Sequence, residues 1–122
     1  MENIKKYDIW LIKLDPIMWS EQSWIRPCLV IQNDDFFRYQ NTTLVLPISS
    51  KLDKKWMFSV IINDYKNCWL DRKSRILVFQ LRTADKSRFI KKLWKINDKK
   101  LRLEIKKALD ITIDMEDEFL EK

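Results

Sequence analysis

With 122 residues, the chain has room for one domain of ordinary size and too few for two independent cores. Apolar residues make up 46% and charged residues 34%, a globular balance that excludes general disorder. Lys and Arg outnumber Asp and Glu by 24 to 18, a formal charge of +6 that favours polyanionic partners such as nucleic acid and is equally met by a solvated basic surface.

Met1 to Leu14 has neither an apolar stretch long enough for a signal peptide nor a small-residue cleavage site behind it. Nothing later reaches the roughly 18 consecutive apolar residues of a membrane helix. A soluble, cytoplasmic chain without membrane association is expected. Short apolar runs of strand length then recur: Ile9 to Leu14, Cys28 to Gln32, Thr43 to Ile48, Met57 to Ile62 and Arg75 to Leu81. Their length and their Val, Ile, Leu and Phe content predict a β-rich core. Between the first two lies a polar loop from Asp15 to Ile25, which carries Ser20-Glu21-Gln22-Ser23 between Trp19 and Trp24. Functional groups concentrate on such loops; the plainer reading is a surface connection anchored by two tryptophans. Cys28-Leu29-Val30-Ile31 is apolar without alternation, as expected for a central strand covered on both faces, and Val60-Ile61-Ile62 looks similar. Asn33-Asp34-Asp35 and Asn63-Asp64 end their runs with turn-forming residues.

One segment reads as helix. Leu101, Ile105, Ala108, Leu109 and Thr112 recur at three- and four-residue spacing, with Lys and Glu between them. Asn97 is the expected N-cap, with Asp98 favourable in the first turn. The organisation predicted is therefore a single domain over 1–114, closed by this helix, and an acidic tail over 115–122 that either extends the helix or frays.

Cys28 and Cys68 have no CxxC spacing and the chain has no histidine, so neither a zinc site nor a disulfide framework is expected. Two buried free thiols are the simpler expectation. No metal or cofactor site is expected. Glycine is absent altogether, whereas average usage would place roughly eight or nine in this length.

Tyr7-Asp8-Ile9-Trp10 through Leu14-Asp15-Pro16, Ser20-Glu21-Gln22, and Arg26-Pro27-Cys28-Leu29-Val30-Ile31-Gln32-Asn33-Asp34 together resemble the MazF/PemK family of toxin endoribonucleases. The resemblance continues through Thr42-Thr43, Pro47-Ile48-Ser49-Ser50 and Gln80-Leu81-Arg82-Thr83-Ala84-Asp85-Lys86-Ser87-Arg88 to Ala108-Leu109, and so spans Tyr7 to Ile113. It implies a mainly β fold with a C-terminal α-helix, the small SH3-like barrel of CcdB/PemK type. It also implies a homodimer, metal-independent cleavage of single-stranded RNA or mRNA at short sequence motifs, and a cognate antitoxin that blocks the site.

The same resemblance assigns a catalytic pair, an arginine before the proline of the central strand, here Arg26, and a threonine at the end of the next strand, here replaced by Ser49. It also assigns Ser20, Glu21 and Gln22 to substrate binding; Trp19 and Trp24 beside them are suited to stacking on unpaired bases. Where the family commonly has glycine, this chain has Tyr7, Trp19, Trp24 and Trp69, at which a positive φ would be strained. The residue before the core glutamine, often acidic in the family, is Phe79.

The implied chemistry uses the substrate's own 2′-OH as nucleophile, leaving a cyclic phosphate and a 5′-hydroxyl, so the protein supplies positioning, proton transfer and charge stabilisation. Arg26 suits the charge on the pentacoordinate phosphorus, because its guanidinium fork matches phosphate oxygens and stays charged at physiological pH. Ser49 keeps a hydroxyl that donates and accepts but lacks the methyl that stiffens threonine's rotamer. Glu21 is available as a base. Two other readings stand beside an active nuclease: a catalytically impaired relative that binds RNA or an antitoxin, and a gyrase poison of the CcdB type. Against the latter, the chain lacks the Trp-Gly-Ile ending in which those poisons resemble one another.

Overall fold

The computed structural model describes residues 3–14, 25–51, 59–63, 70 and 72–114. Its strands, in chain order, are β1 (Asp8–Lys13), β2 (Ile25–Val30), β3 (Thr42–Ser49), β4 (Ser59–Ile62), β5 (Ser74–Leu77), β6 (Arg82–Asp85) and β7 (Phe89–Lys95). One helix, α1 (Lys99–Thr112), follows them. All strand pairs are antiparallel, in the order β4-β5-β3-β2-β1-β7, with β6 added to β3 off this path. The architecture is the mainly β fold with a C-terminal helix that the residues predict, in the antiparallel arrangement from which the SH3-like barrel implied by the resemblance is built. Among the described residues, β4 and β7 remain the two ends of the sheet path.

The uninterrupted apolar run in β2 has the two-sided burial it predicts. Leu29 joins Ile9, Leu46, Ile48, Ile76, Ile105 and Ala108 in one cluster, on the side where α1 packs. Its neighbours Cys28 and Val30 join Ile4, Trp10, Ile12, Val45, Ala84 and Phe89 in a second cluster. Successive side chains of a strand point to opposite faces, so one strand feeds two cores only when both faces are covered. Trp10 meets Phe89 edge to face in the second cluster, with ring centroids 5.5 Å apart. Helix α1 turns Ile105 and Ala108 inward and leaves Leu103 and Ile111 exposed.

Three local expectations need correction. The run Arg75 to Leu81 is not one strand, because β5 ends at Leu77 and a 3₁₀ turn occupies Val78–Gln80. There the Leu81 N–H returns to the Val78 carbonyl at 3.2 Å. Strands β6 and β7 had no counterpart in the apolar pattern, since Arg82-Thr83-Ala84-Asp85 buries only Ala84 and β7 carries three lysines. The helix cap is Asp98 rather than Asn97: the Asp98 carboxylate accepts from the Lys100 N–H at 2.9 Å, while the Asn97 side chain accepts from Arg102. Asn33 does mark a turn, its side chain accepting from the Asp35 N–H at 2.8 Å to open a 3₁₀ helix over Asp34–Tyr39. Met57, the acidic tail over 115–122 and Cys68 lie outside the described residues.

Tyr7 has φ 72°, the positive value expected at a position where the family has glycine, and is the only such non-glycine residue among those described. Its neighbours enforce it. The Tyr7 N–H donates to the Val30 carbonyl at 2.7 Å, and the Ile96 N–H donates to the Tyr7 carbonyl at 2.9 Å. The Arg102 guanidinium lies 4.2 Å from the centre of the Tyr7 ring and donates through Nε to the Ile96 carbonyl at 2.8 Å. Beside it the fully buried Asp8 accepts from the Lys5 N–H at 2.8 Å and from the Trp10 indole at 3.3 Å. Its other oxygen lies 3.4 Å from Lys92 Nζ and 3.9 Å from Lys95 Nζ. Trp19, Trp24 and Trp69, the other glycine positions, lie outside the described residues.

Candidate active site

Strands β2 and β3 run antiparallel, with Cys28 opposite Pro47 and Leu29 opposite Leu46. Continuing that register by two residues, which preserves the face, sets Arg26 across from Ser49 at the open end of the ladder. Both prolines help to end regular pairing there, since neither Pro27 nor Pro47 has an N–H to donate. The two residues expected to form a catalytic pair line one cavity of about 260 Å³. Its rim carries Lys51 and Arg72, and Leu70, Ile48 and the buried Ser74 complete much of the wall.

Ser49 is buried, only 6% exposed, and its hydroxyl oxygen accepts from the Lys51 N–H at 3.1 Å. That bond fixes the side chain in a serine turn as the chain leaves β3, and it leaves the hydroxyl proton free to be donated into the cavity. The missing methyl of threonine is thus partly compensated, because the backbone of Lys51 restrains the Ser49 rotamer. Across the cavity, the Ser74 hydroxyl donates to the Arg72 carbonyl at 2.8 Å and fixes the start of β5.

Among the described residues, the charges that line the cavity all have one sign. Arg26, Lys51 and Arg72 contribute three cations, and no carboxylate is among the described lining residues. Behind Arg26, the Cys28 thiol donates to the Arg26 carbonyl at 3.7 Å. Burial pushes this thiol up from 9.0 to about 12, against the opposing pull of Arg82 and Arg26, so it is neither nucleophile nor proton carrier at neutral pH. Such a site suits an anion with several oxygens, which guanidinium forks bind and a hydroxyl orients.

Sequence reasoning did not single out Lys51, Arg72 or Ser74. Lys51 and Arg72 are exposed residues outside the strands, where neither period nor burial marks them, and only the fold brings them to Arg26. Trp19, Ser20, Glu21, Gln22 and Trp24, expected to bind substrate, lie outside the described residues. Among the described residues no group of His, Cys, Asp and Glu is arranged to hold a metal ion, and no helix is long and apolar enough to cross a membrane.

Residues 5–113 match the family model of the PemK-like, MazF-like toxins of type II toxin-antitoxin systems. The chain belongs to the PemK/MazF family. Among curated relatives of the family, Endoribonuclease MazF of Staphylococcus saprophyticus is 35% identical over 112 residues, 92% of either chain. Among solved structures, the MazE-MazF complex (Form-II) of Deinococcus radiodurans superposes with a TM-score of 0.76 at 18% identity, covering 95% of this chain and 100% of that one. An endoribonuclease in complex with its cognate antitoxin from a mycobacterial species gives 0.72 at 11% identity, covering 93% and 97%. These distant structures share the fold, and the family match over nearly the full chain assigns the toxin class.

Proposed function

We propose that the protein is a toxin endoribonuclease that cleaves single-stranded RNA at short sequence motifs without a metal, through attack of the substrate's 2′-OH on the adjoining phosphorus. The observation that carries this reading is the meeting of Arg26 and Ser49 in one cation-lined cavity at the end of the β2-β3 ladder. Arg26 stabilises the charge that builds on the phosphoryl oxygens, and the Ser49 hydroxyl orients the phosphate or the 2′-OH. A proton must still leave the 2′-OH and another must reach the departing 5′-oxygen. Glu21, on the family's substrate loop, is our candidate for the first transfer. Trp19, Ser20, Gln22 and Trp24 form the RNA-binding loop in this reading. The relative's name, Endoribonuclease MazF, supports the activity. Complexes of neighbouring structures with antitoxins support a cognate antitoxin that covers the same cavity and competes with RNA. We further propose a homodimer that acts in the cytoplasm.

Digestion of a long single-stranded RNA in excess EDTA, with both ends of each product mapped, tests the reaction. Cyclic phosphate and 5′-hydroxyl termini at recurring short motifs are expected. Intact RNA that remains bound would instead support the catalytically impaired relative, and 5′-phosphate ends would exclude attack by the 2′-OH.

A further inference from the structure

Three cations line a cavity in which the chemistry at one phosphorus engages one of them. Arg26 lies across from Ser49, whereas Lys51 and Arg72 sit on the rim, on separate chain segments. Among the described residues, no ion pair joins a carboxylate to either rim side chain. The Arg72 backbone is held by the buried Ser74 hydroxyl at 2.8 Å, and the Lys51 backbone by Ser49 at 3.1 Å, so both side chains leave from fixed points. At about 260 Å³ the cavity is smaller than the roughly 300–1,000 Å³ of sites that enclose a whole drug-sized ligand. A cavity of that size and lining suits a phosphate group rather than a whole nucleotide.

We propose that Arg72, assisted by Lys51, binds the phosphate next to the scissile one, which makes the cavity a two-phosphate site for an extended RNA strand. This rests on the endoribonuclease reading for its substrate. Arg72 is then a binding residue: its contact is made equally in the ground state and the transition state, so its loss weakens binding more than it slows chemistry. A guanidinium suits the task because its fork takes two oxygens of one phosphate, and Lys51 adds a point charge alongside.

The test uses an oligonucleotide with a single cleaved site. A 2′-deoxy sugar at the attacking position blocks cleavage so that Kd is read directly, and a neutral methylphosphonate replaces the phosphate on either side of that site in turn. Arg72→Ala should raise Kd about tenfold, as expected for one charge-assisted contact, and the logarithmic salt dependence should become shallower by about 0.7. With the 2′-OH restored, kcat should fall far less than in Arg26→Ala. Arg72→Lys should keep the salt slope and recover part of the affinity. The methylphosphonate at the contacted position should weaken wild-type binding at least as much as Arg72→Ala does, and weaken Arg72→Ala further only by the smaller share that Lys51 holds. Additive losses at both neighbouring phosphates, an unchanged salt slope, or a fall in kcat as large as that of Arg26→Ala would overturn the assignment. Circular dichroism and thermal melting confirm that the variants fold. If the wild-type protein leaves all RNA intact, the endoribonuclease reading fails, while the effect of Arg72→Ala on Kd and salt slope for the same single-stranded RNA still decides whether Arg72 holds a phosphate.

Discussion

Arg26 offers a planar guanidinium fork that matches phosphate oxygens, so the role proposed for it is charge stabilisation from a fixed place on β2. Arg26→Ala should lower kcat by about 10² to 10³, the range for deleting one preorganised donor to a developing anion, with the melting temperature nearly unchanged. Arg26→Lys should recover little, since an ammonium lacks the planar fork. Undiminished cleavage by a folded Arg26→Ala protein would remove the role assigned to it. Cys28 titrates in the opposite sense to a useful catalytic group. Its folded pKa of about 12 stands above the ordinary 9.0, so between those values the folded chain keeps a proton that the unfolded chain releases. Stability is therefore intact below pH 9 and falls as pH rises towards 12. In a Cys68→Ser background, native protein at pH 8 should resist iodoacetamide, and denatured protein should take up one equivalent. Rapid alkylation of the native form would show that Cys28 is not buried as described.

From β6 to α1, short polar caps make the junctions between elements. Asp85 accepts from the Ser87 N–H at 2.8 Å between β6 and β7, and that bond holds its carboxyl below the usual range. Asp98 likewise accepts a backbone N–H, that of Lys100, to cap α1. Asp98→Ala should cost about 1 kcal/mol, while Asn97→Ala should cost clearly less, because Asn97 is not the cap. Urea melts of the two variants compare them directly. The same junctions explain what the residues alone revealed of the fold. β2, β3 and α1 were recognisable because their burial is two-sided or strictly periodic, so apolar spacing reports them. β6 and β7 were not, because each buries few side chains and takes its place through backbone pairing with β3 and β1, which leaves no apolar period. At the site, Arg26 and Ser49 were identifiable from the motif that surrounds them. Lys51 and Arg72 depend on a register between distant strands, which no local pattern encodes.

The molecule as a whole exposes large apolar side chains, among them Tyr39 at 76% and Ile111 at 57%. Single exposed apolar residues are ordinary, but Leu103 and Ile111 lie two turns apart on α1, and Ile113 follows them. Light scattering at micromolar concentration should give twice the chain mass, and a value near 15.0 kDa would count against the dimer. The turn at Tyr7 bears on how such a chain reaches its native state. A glycine there would visit the required conformation freely before any tertiary structure formed, whereas a tyrosine forfeits about 1–3 kcal/mol to hold it. The partners that hold it, Val30, Ile96 and Arg102, are all far from Tyr7 in sequence and meet it only when β2, the end of β7 and α1 have assembled. Closing loops of that length precedes any gain from the contacts, so the Tyr7 turn should lock after the main folding barrier. Arg102→Ala should then speed unfolding in stopped-flow measurements and leave the refolding rate nearly unchanged, whereas slower refolding would place this junction in the nucleus. A chain without glycine would thus set this left-handed turn last, clamped from outside by finished structure.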